Sequence, residues 1–96
     1  MDNNQLTPEA KFILTTRNSW EMNQVEFGRY IAEGIRPTPF SRQNVWAWEN
    51  NQQGINALDV ALGSINYPDG DRRREFYARL LAIKNAEREG TINENL

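Results

Sequence analysis

The sequence predicts an all-α fold of five helices, and three observations carry that expectation. Apolar residues recur at helical spacing in several segments, most of these segments follow a cap-forming residue, and no alternating run long enough for a strand is present. A chain of 96 residues falls in the size range of one domain. A single unit over 1–96 is expected, with its centre at 7–66 and a C-terminal helix over about 72–89.

Residues 1–6 are polar and are expected to fray. Thr7-Pro8-Glu9 then supplies a capping hydroxyl, a proline at the first helical position and an acid near the positive end of the helix dipole. The first helix should run from about Pro8 to Arg17 or Ser19, with Phe12, Ile13 and Trp20 inward. Asn23 opens the second, and Glu26 three residues later completes a capping box. Phe27, Tyr30 and Ile31 follow at helical spacing, and Glu33-Gly34 should end the helix, glycine being free to take the left-handed conformation.

Ile35 to Phe40 contains Pro37 and Pro39, each of which biases the residue before it away from helix, so this stretch reads as a loop. Thr38-Pro39 or Ser41 then starts the third helix, which should stop at Asn50-Asn51. Ile55, Leu58 and Leu62 form a stripe with period near 3.6 and predict the fourth helix after Gly54. Tyr67 to Asp71 is a turn cluster with an Asp cap at its end. The fifth helix should carry Phe76, Tyr77, Leu80 and Ile83 inward, stop at Gly90 and leave 91–96 as a loose tail.

Composition narrows the function. The chain is 39% hydrophobic and 25% charged, which is ordinary for a globular protein. It has neither cysteine nor histidine, so disulfide frameworks, thiol nucleophiles, histidine acid/base chemistry and the usual zinc ligands are excluded, and no cofactor is expected. No set of residues places a base beside a nucleophile, so an enzyme is not expected. Asp69 and Asp71 lack the further ligands of a calcium loop and read as turn residues. No apolar run approaches a membrane span, and Met1 to Asn4 lacks the start of a signal peptide, so a cytoplasmic protein is expected. The net charge of −2 argues against bulk electrostatic coating of nucleic acid. Between Lys11 and Ala47, however, five basic residues (Lys11, Arg17, Arg29, Arg36, Arg42) outnumber three acidic ones (Glu21, Glu26, Glu33), leaving this segment mildly positive.

Gly28 lies inside the second helix, where glycine costs about 1 kcal/mol relative to alanine. Close approach of the third helix accounts for it, and that pairing of helices is what a helix-turn-helix requires. Alanine is expected to be tolerated at position 28 and leucine to overpack the crossing. In the third helix Val45 and Trp48 can face inward while Arg42, Gln43, Trp46 and Ala47 face outward. Arginine and glutamine pair bidentately with guanine and adenine edges, and alanine can touch a thymine methyl. Trp46 points about 160° from Trp48 and should be exposed.

The segment 23–50 resembles the helix-turn-helix of lambdoid phage repressors and Cro proteins, the xenobiotic-response-element-like family. Asn23-Gln24-Val25-Glu26-Phe27-Gly28 matches the family's opening of helix 2. Ser41-Arg42-Gln43-Asn44-Val45, followed by Trp48-Glu49-Asn50, matches its recognition helix. Arg17 stands where the family has an arginine paired with the glutamate matched by Glu49. The resemblance covers about residues 10–66 and implies a five-helix, lambda-repressor-like domain that regulates transcription, as a repressor, by binding double-stranded DNA as a homodimer. It further implies that Gln24 contacts a phosphate, that Arg42, Gln43, Trp46 and Ala47 lie along base edges, and that Ser41, Asn44, Asn51 and Gln52 lie at the DNA surface, the last three on its backbone. The chain departs from the family by an elongated loop, Ala32 to Phe40, whose Arg36 could reach a phosphate. The run Arg72-Arg73-Arg74 reads as a solvated charge run, with a second phosphate contact as the alternative. A protein-interaction module that keeps the same shape but uses Trp46 and the acidic surface on another protein is the competing function.

Overall fold

Each helix begins where a side chain can accept the backbone N–H groups that the helix itself leaves unpaired. In the computed structural model, which describes residues 5–94, α1 spans Pro8–Ser19, α2 Gln24–Ala32, α3 Arg42–Glu49, α4 Ala57–Asn66 and α5 Arg72–Glu94, with no strand among the described residues. Thr7 accepts from the Ala10 N–H, Asn23 from Glu26, Ser41 from Asn44 and Asn56 from Leu58. Asp71 does the same for α5 by accepting from the Arg73 N–H at 2.9 Å. The capping box at Asn23 and Glu26 is present in both directions. The second capping box has Ser41 and Asn44 as its partners.

All the buried apolar side chains but Ala10 form one cluster, to which every helix contributes. Ile13 comes from α1, Phe27 and Ile31 from α2, Val45 and Trp48 from α3, Val60 from α4, and Phe76, Tyr77 and Leu80 from α5. Aromatic contacts run through it: Phe12 stacks on Phe76 at 5.5 Å, and Trp20 meets Phe27 and Phe76. Phe12 and Trp20 themselves are half-buried. α1 packs on α3 and α5, α2 on α3, and α4 on α5.

Four expectations are corrected. The stripe Ile55, Leu58, Leu62 is not the inner face of α4, because α4 begins only at Ala57. Ile55 is buried from the non-helical segment before the cap, so its spacing to Leu58 is not a helical one, and Leu58 is 68% exposed. The inner face is Val60 and Gly63, where a β-carbon on Gly63 would overlap the Tyr77 ring. Second, α5 continues through Gly90 to Glu94, since one glycine lowers helix propensity without ending a helix. Residues 91–94 are therefore helical, while 95 and 96 lie outside the described residues.

Third, the frayed start is tied at its inner end: Asn51 accepts from the Thr7 N–H and donates to the Gln5 carbonyl, both at 3.0 Å. Residues 1–4, with their leader reading, lie outside the described residues. Fourth, what passes over Gly28 is backbone. A β-carbon there would overlap the Phe40 carbonyl oxygen, which belongs to the end of the loop before α3, and would press on the Val45 side chain. The Phe40 N–H also donates to the Gly28 carbonyl at 3.3 Å. Alanine at 28 therefore meets a backbone atom that cannot swing aside.

Candidate nucleic-acid interface

α3 is short, eight residues, and its hold on the rest of the molecule comes from one side only. Val45 and Trp48 are buried, and Trp48 packs edge-on against Phe40 with ring centres 4.9 Å apart. Glu49, in the last turn, is 4% exposed at its side chain and is held by three groups. Arg17 reaches it through Nε at 2.5 Å and Nη2 at 3.0 Å, and Gln24 donates through Nε2 at 3.0 Å. Arg17 also donates through Nη1 to the Met22 carbonyl. Removing one side of such a buried pair leaves an uncompensated charge and typically costs about 3–5 kcal/mol. α1, the turn after it and the first turn of α2 thus converge on the C-terminal end of α3.

The other side of α3 is open. Arg42 and Gln43 are exposed in its first turn, and neither has a hydrogen-bond or ion-pair partner among the described residues. Trp46 is 50% exposed and Ala47 half-buried. The first turn contains no acid. Ser41 and Asn44 are engaged with each other: the Ser41 N–H and hydroxyl both donate to Asn44 Oδ1, and Ser41 Oγ accepts from the Asn44 N–H. Asn44 keeps its Nδ2 donor pair, and Gln24 keeps the second N–H of its amide.

The remaining expected contacts have partners within the chain. Asn51, with φ 61, is spent on the Gln5 to Thr7 segment, and Gln52 donates to the Asn50 carbonyl. Arg36 stands over the Phe40 ring at 4.4 Å, pairs with Asp59 at 3.6 Å and donates to the Thr38 hydroxyl. Its charge is drawn toward α4.

Each arginine of the run at the start of α5 has partners within the chain, although Arg72 stays exposed. Arg72 lies over the Trp20 ring at 4.5 Å and donates to the Tyr30 hydroxyl. Arg73 lies over Tyr30 and Tyr67, pairs with Asp71 and Glu33, and donates to the Tyr30 carbonyl. Arg74 donates to the Tyr67 carbonyl and pairs with Asp69. Hydrogen bonds from Arg73 hold the Asp71 carboxyl down at about 2 and, in return, raise the Arg73 guanidinium. Burial pushes the Tyr67 hydroxyl up to about 12 and raises Tyr77 further.

Those two tyrosines were not singled out by the sequence as site or support residues. Both hydroxyls donate to the Ile31 carbonyl at 2.7 Å, filling its two lone pairs. With Arg73 on the Tyr30 carbonyl, they satisfy carbonyls that the last turn of α2 leaves orphaned. The demand for partners at a helix end is a sequence-level signal, but their identity is not, because the partners come from 36 to 46 residues away.

Comparison with known proteins adds no assignment: no protein-family model, no curated protein and no solved structure matches the chain.

Proposed function

We propose that the chain is a sequence-specific double-stranded DNA-binding transcriptional regulator, a cytoplasmic repressor that reads the major groove with α3 and acts as a homodimer. In this reading α2 and α3 are the two helices of a helix-turn-helix joined by an elongated connection, and Gly28 is the point of close approach. The observation that carries it is the free first turn of α3. Arg42 and Gln43 project without partners from a helix whose opposite side is fixed by Val45, Trp48 and the Arg17–Glu49 pair.

Arg42 stands at the positive end of a helix dipole, where a cation does nothing for the helix. A polyanion at that end is favoured by the dipole and by the guanidinium together. The Ser41–Asn44 cap fixes the backbone of this turn, while the Arg42 and Gln43 side chains are left unspent for base edges.

Selection of binding sites from random duplex DNA tests the proposal. An enriched, two-fold symmetric sequence is expected, with affinity falling with salt at a log–log slope of about −0.9 per neutralised phosphate. The half-exposed Trp46 favours a second reading, contact with another protein. Failure to enrich any duplex sequence would leave that reading in place of the first.

A further inference from the structure

α1 and α5 enclose a groove of about 220 Å³ that no residue of α3 lines. Phe12, Trp20 and Phe76 give it aromatic walls, and Phe12 and Phe76 are stacked with ring centres 5.5 Å apart. Arg72, Glu75 and Arg79 line it from the start of α5, and Thr16 adds a hydroxyl-bearing side chain from α1. We propose that this groove binds a small aromatic monocarboxylic acid, with the carboxylate on the Arg72 guanidinium and the ring among Phe12, Trp20 and Phe76.

Arg72 is the member of the arginine run that keeps its fork. Arg73 places both terminal nitrogens on oxygen acceptors, and Arg74 places one. Arg72 spends only Nε, on the Tyr30 hydroxyl at 3.1 Å, and its two Nη groups have no partner among the described residues. Its position is held meanwhile, 4.5 Å from the Trp20 ring centre and 5.2 Å from that of Tyr30. A guanidinium fixed by stacking with its fork unspent suits a carboxylate, which accepts two parallel N–H bonds from it. A small acid reaches that fork from within the groove with the stack intact, whereas a duplex is too broad to follow it.

Charge and size set the ligand class. Of the charged groups lining the groove, Glu75 pairs with Arg79 at 3.4 Å, which leaves the Arg72 cation uncompensated. One negative charge balances it, and a second would meet Glu75. Drug-sized ligands occupy about 300–1,000 Å³; this groove is smaller and has room for one ring and one acid group. The Thr16 hydroxyl, without a partner among the described residues, supplies a further donor. Arg17, next to Thr16 in α1, holds Glu49 of α3, so a ligand in the groove bears on the seat of α3. That role as an effector rests on the DNA-binding reading; the site itself does not.

NMR of the full chain without DNA tests the site separately from that reading. The indole N–H signals of Trp20, Trp46 and Trp48 are separate reporters, and Trp20→Phe identifies the first. Phenylacetate should shift the Trp20 signal and leave the other two in place, with a Kd of about 1 mM or tighter. Acetate lacks the ring, phenylacetamide lacks the charge and phenyl phosphate carries a second one, so each should bind about tenfold more weakly or worse. Arg72→Gln should weaken phenylacetate binding by about tenfold while its circular dichroism matches the parent's. If Arg72→Gln fails to fold, the comparison of phenylacetate with phenylacetamide on the parent decides. A Trp20 signal that does not move, phenylacetamide or phenyl phosphate bound as tightly as phenylacetate, or an Arg72→Gln variant that binds like the parent would each overturn the proposal.

Discussion

The first turns of α3 and α5 both carry arginine at the positive end of a helix, and the molecule uses them in opposite ways. In α5, Arg72, Arg73 and Arg74 are all taken up by aromatic rings, carboxylates and carbonyls of the same chain. In α3, Arg42 and its neighbour Gln43 are taken up by nothing among the described residues. Density of positive charge along the sequence would have pointed to the α5 run as the nucleic-acid contact. Once each guanidinium is traced to its partners, Arg42 is the freer of the two, which is what the proposed DNA contact requires. A cation already stacked and paired must give up those contacts before it can bind a phosphate, whereas a free one gives up only water.

The contrast breaks first at Arg73, whose side chain is 15% exposed. Arg73→Ala strands Asp71 and the Tyr30 carbonyl, and should cost about 3 kcal/mol of stability by chemical denaturation. A variant that unfolds at the parent's denaturant midpoint would mean that the α5 run is as free as Arg42. Gly28→Ala probes the seat of α3 in the same way. Its β-carbon meets the Phe40 carbonyl, so a loss of about 2 kcal/mol is expected in place of the propensity gain that an unhindered helix would show. A rise in melting temperature would put Phe40 elsewhere.

Arg42→Ala and Gln43→Ala should leave unfolding within about 0.5 kcal/mol of the parent, as changes at solvated positions do. On a selected duplex site each should lose about 1–3 kcal/mol of discrimination between bases. Competition titration against a scrambled duplex reads the second number, and equal preference in parent and variants would remove α3 from the proposed interface. A last effect is in acid. Asp71 binds its proton only near pH 2 when folded, against 3.8 when not, so its contribution is complete above about pH 4 and is lost as pH falls toward 2. Thermal melting across that window should fall less steeply for Asp71→Asn than for the parent, and parallel curves would show that the Arg73–Asp71 pair contributes nothing to folding.

Legibility in the sequence followed distance along the chain. Thr7 and Asn23 were readable as caps, and Ser41 as one of two starts for α3, because a cap is decided within three residues. The outward direction of Trp46 and the inward direction of Trp48 followed from helix geometry alone. Gly28 announced a close approach but not what approaches, since Phe40 arrives there from a loop with no periodicity to read. The fourth helix was misregistered for a related reason: Ile55 counts toward a helical pattern in the sequence but precedes the cap in space. Arg17 and Glu49 were paired through resemblance to a family. No such guide connected Arg73 to Glu33, 40 residues earlier, or Tyr77 to Ile31.

The shared carbonyl of Ile31 sets a timetable for synthesis. Its two hydroxyl partners are translated 36 and 46 residues after it. At about 5–20 residues per second, Tyr77 follows by roughly two to nine seconds. Once Glu49 has been added α2 and α3 are both synthesised, but until Tyr77 follows the end of α2 lacks its closure and Phe27 lacks the edge contact of Phe76. A ribosome that pauses between Asn66 and Tyr77 therefore holds a nascent chain whose α2 still lacks the Tyr77 hydroxyl that completes the Ile31 carbonyl.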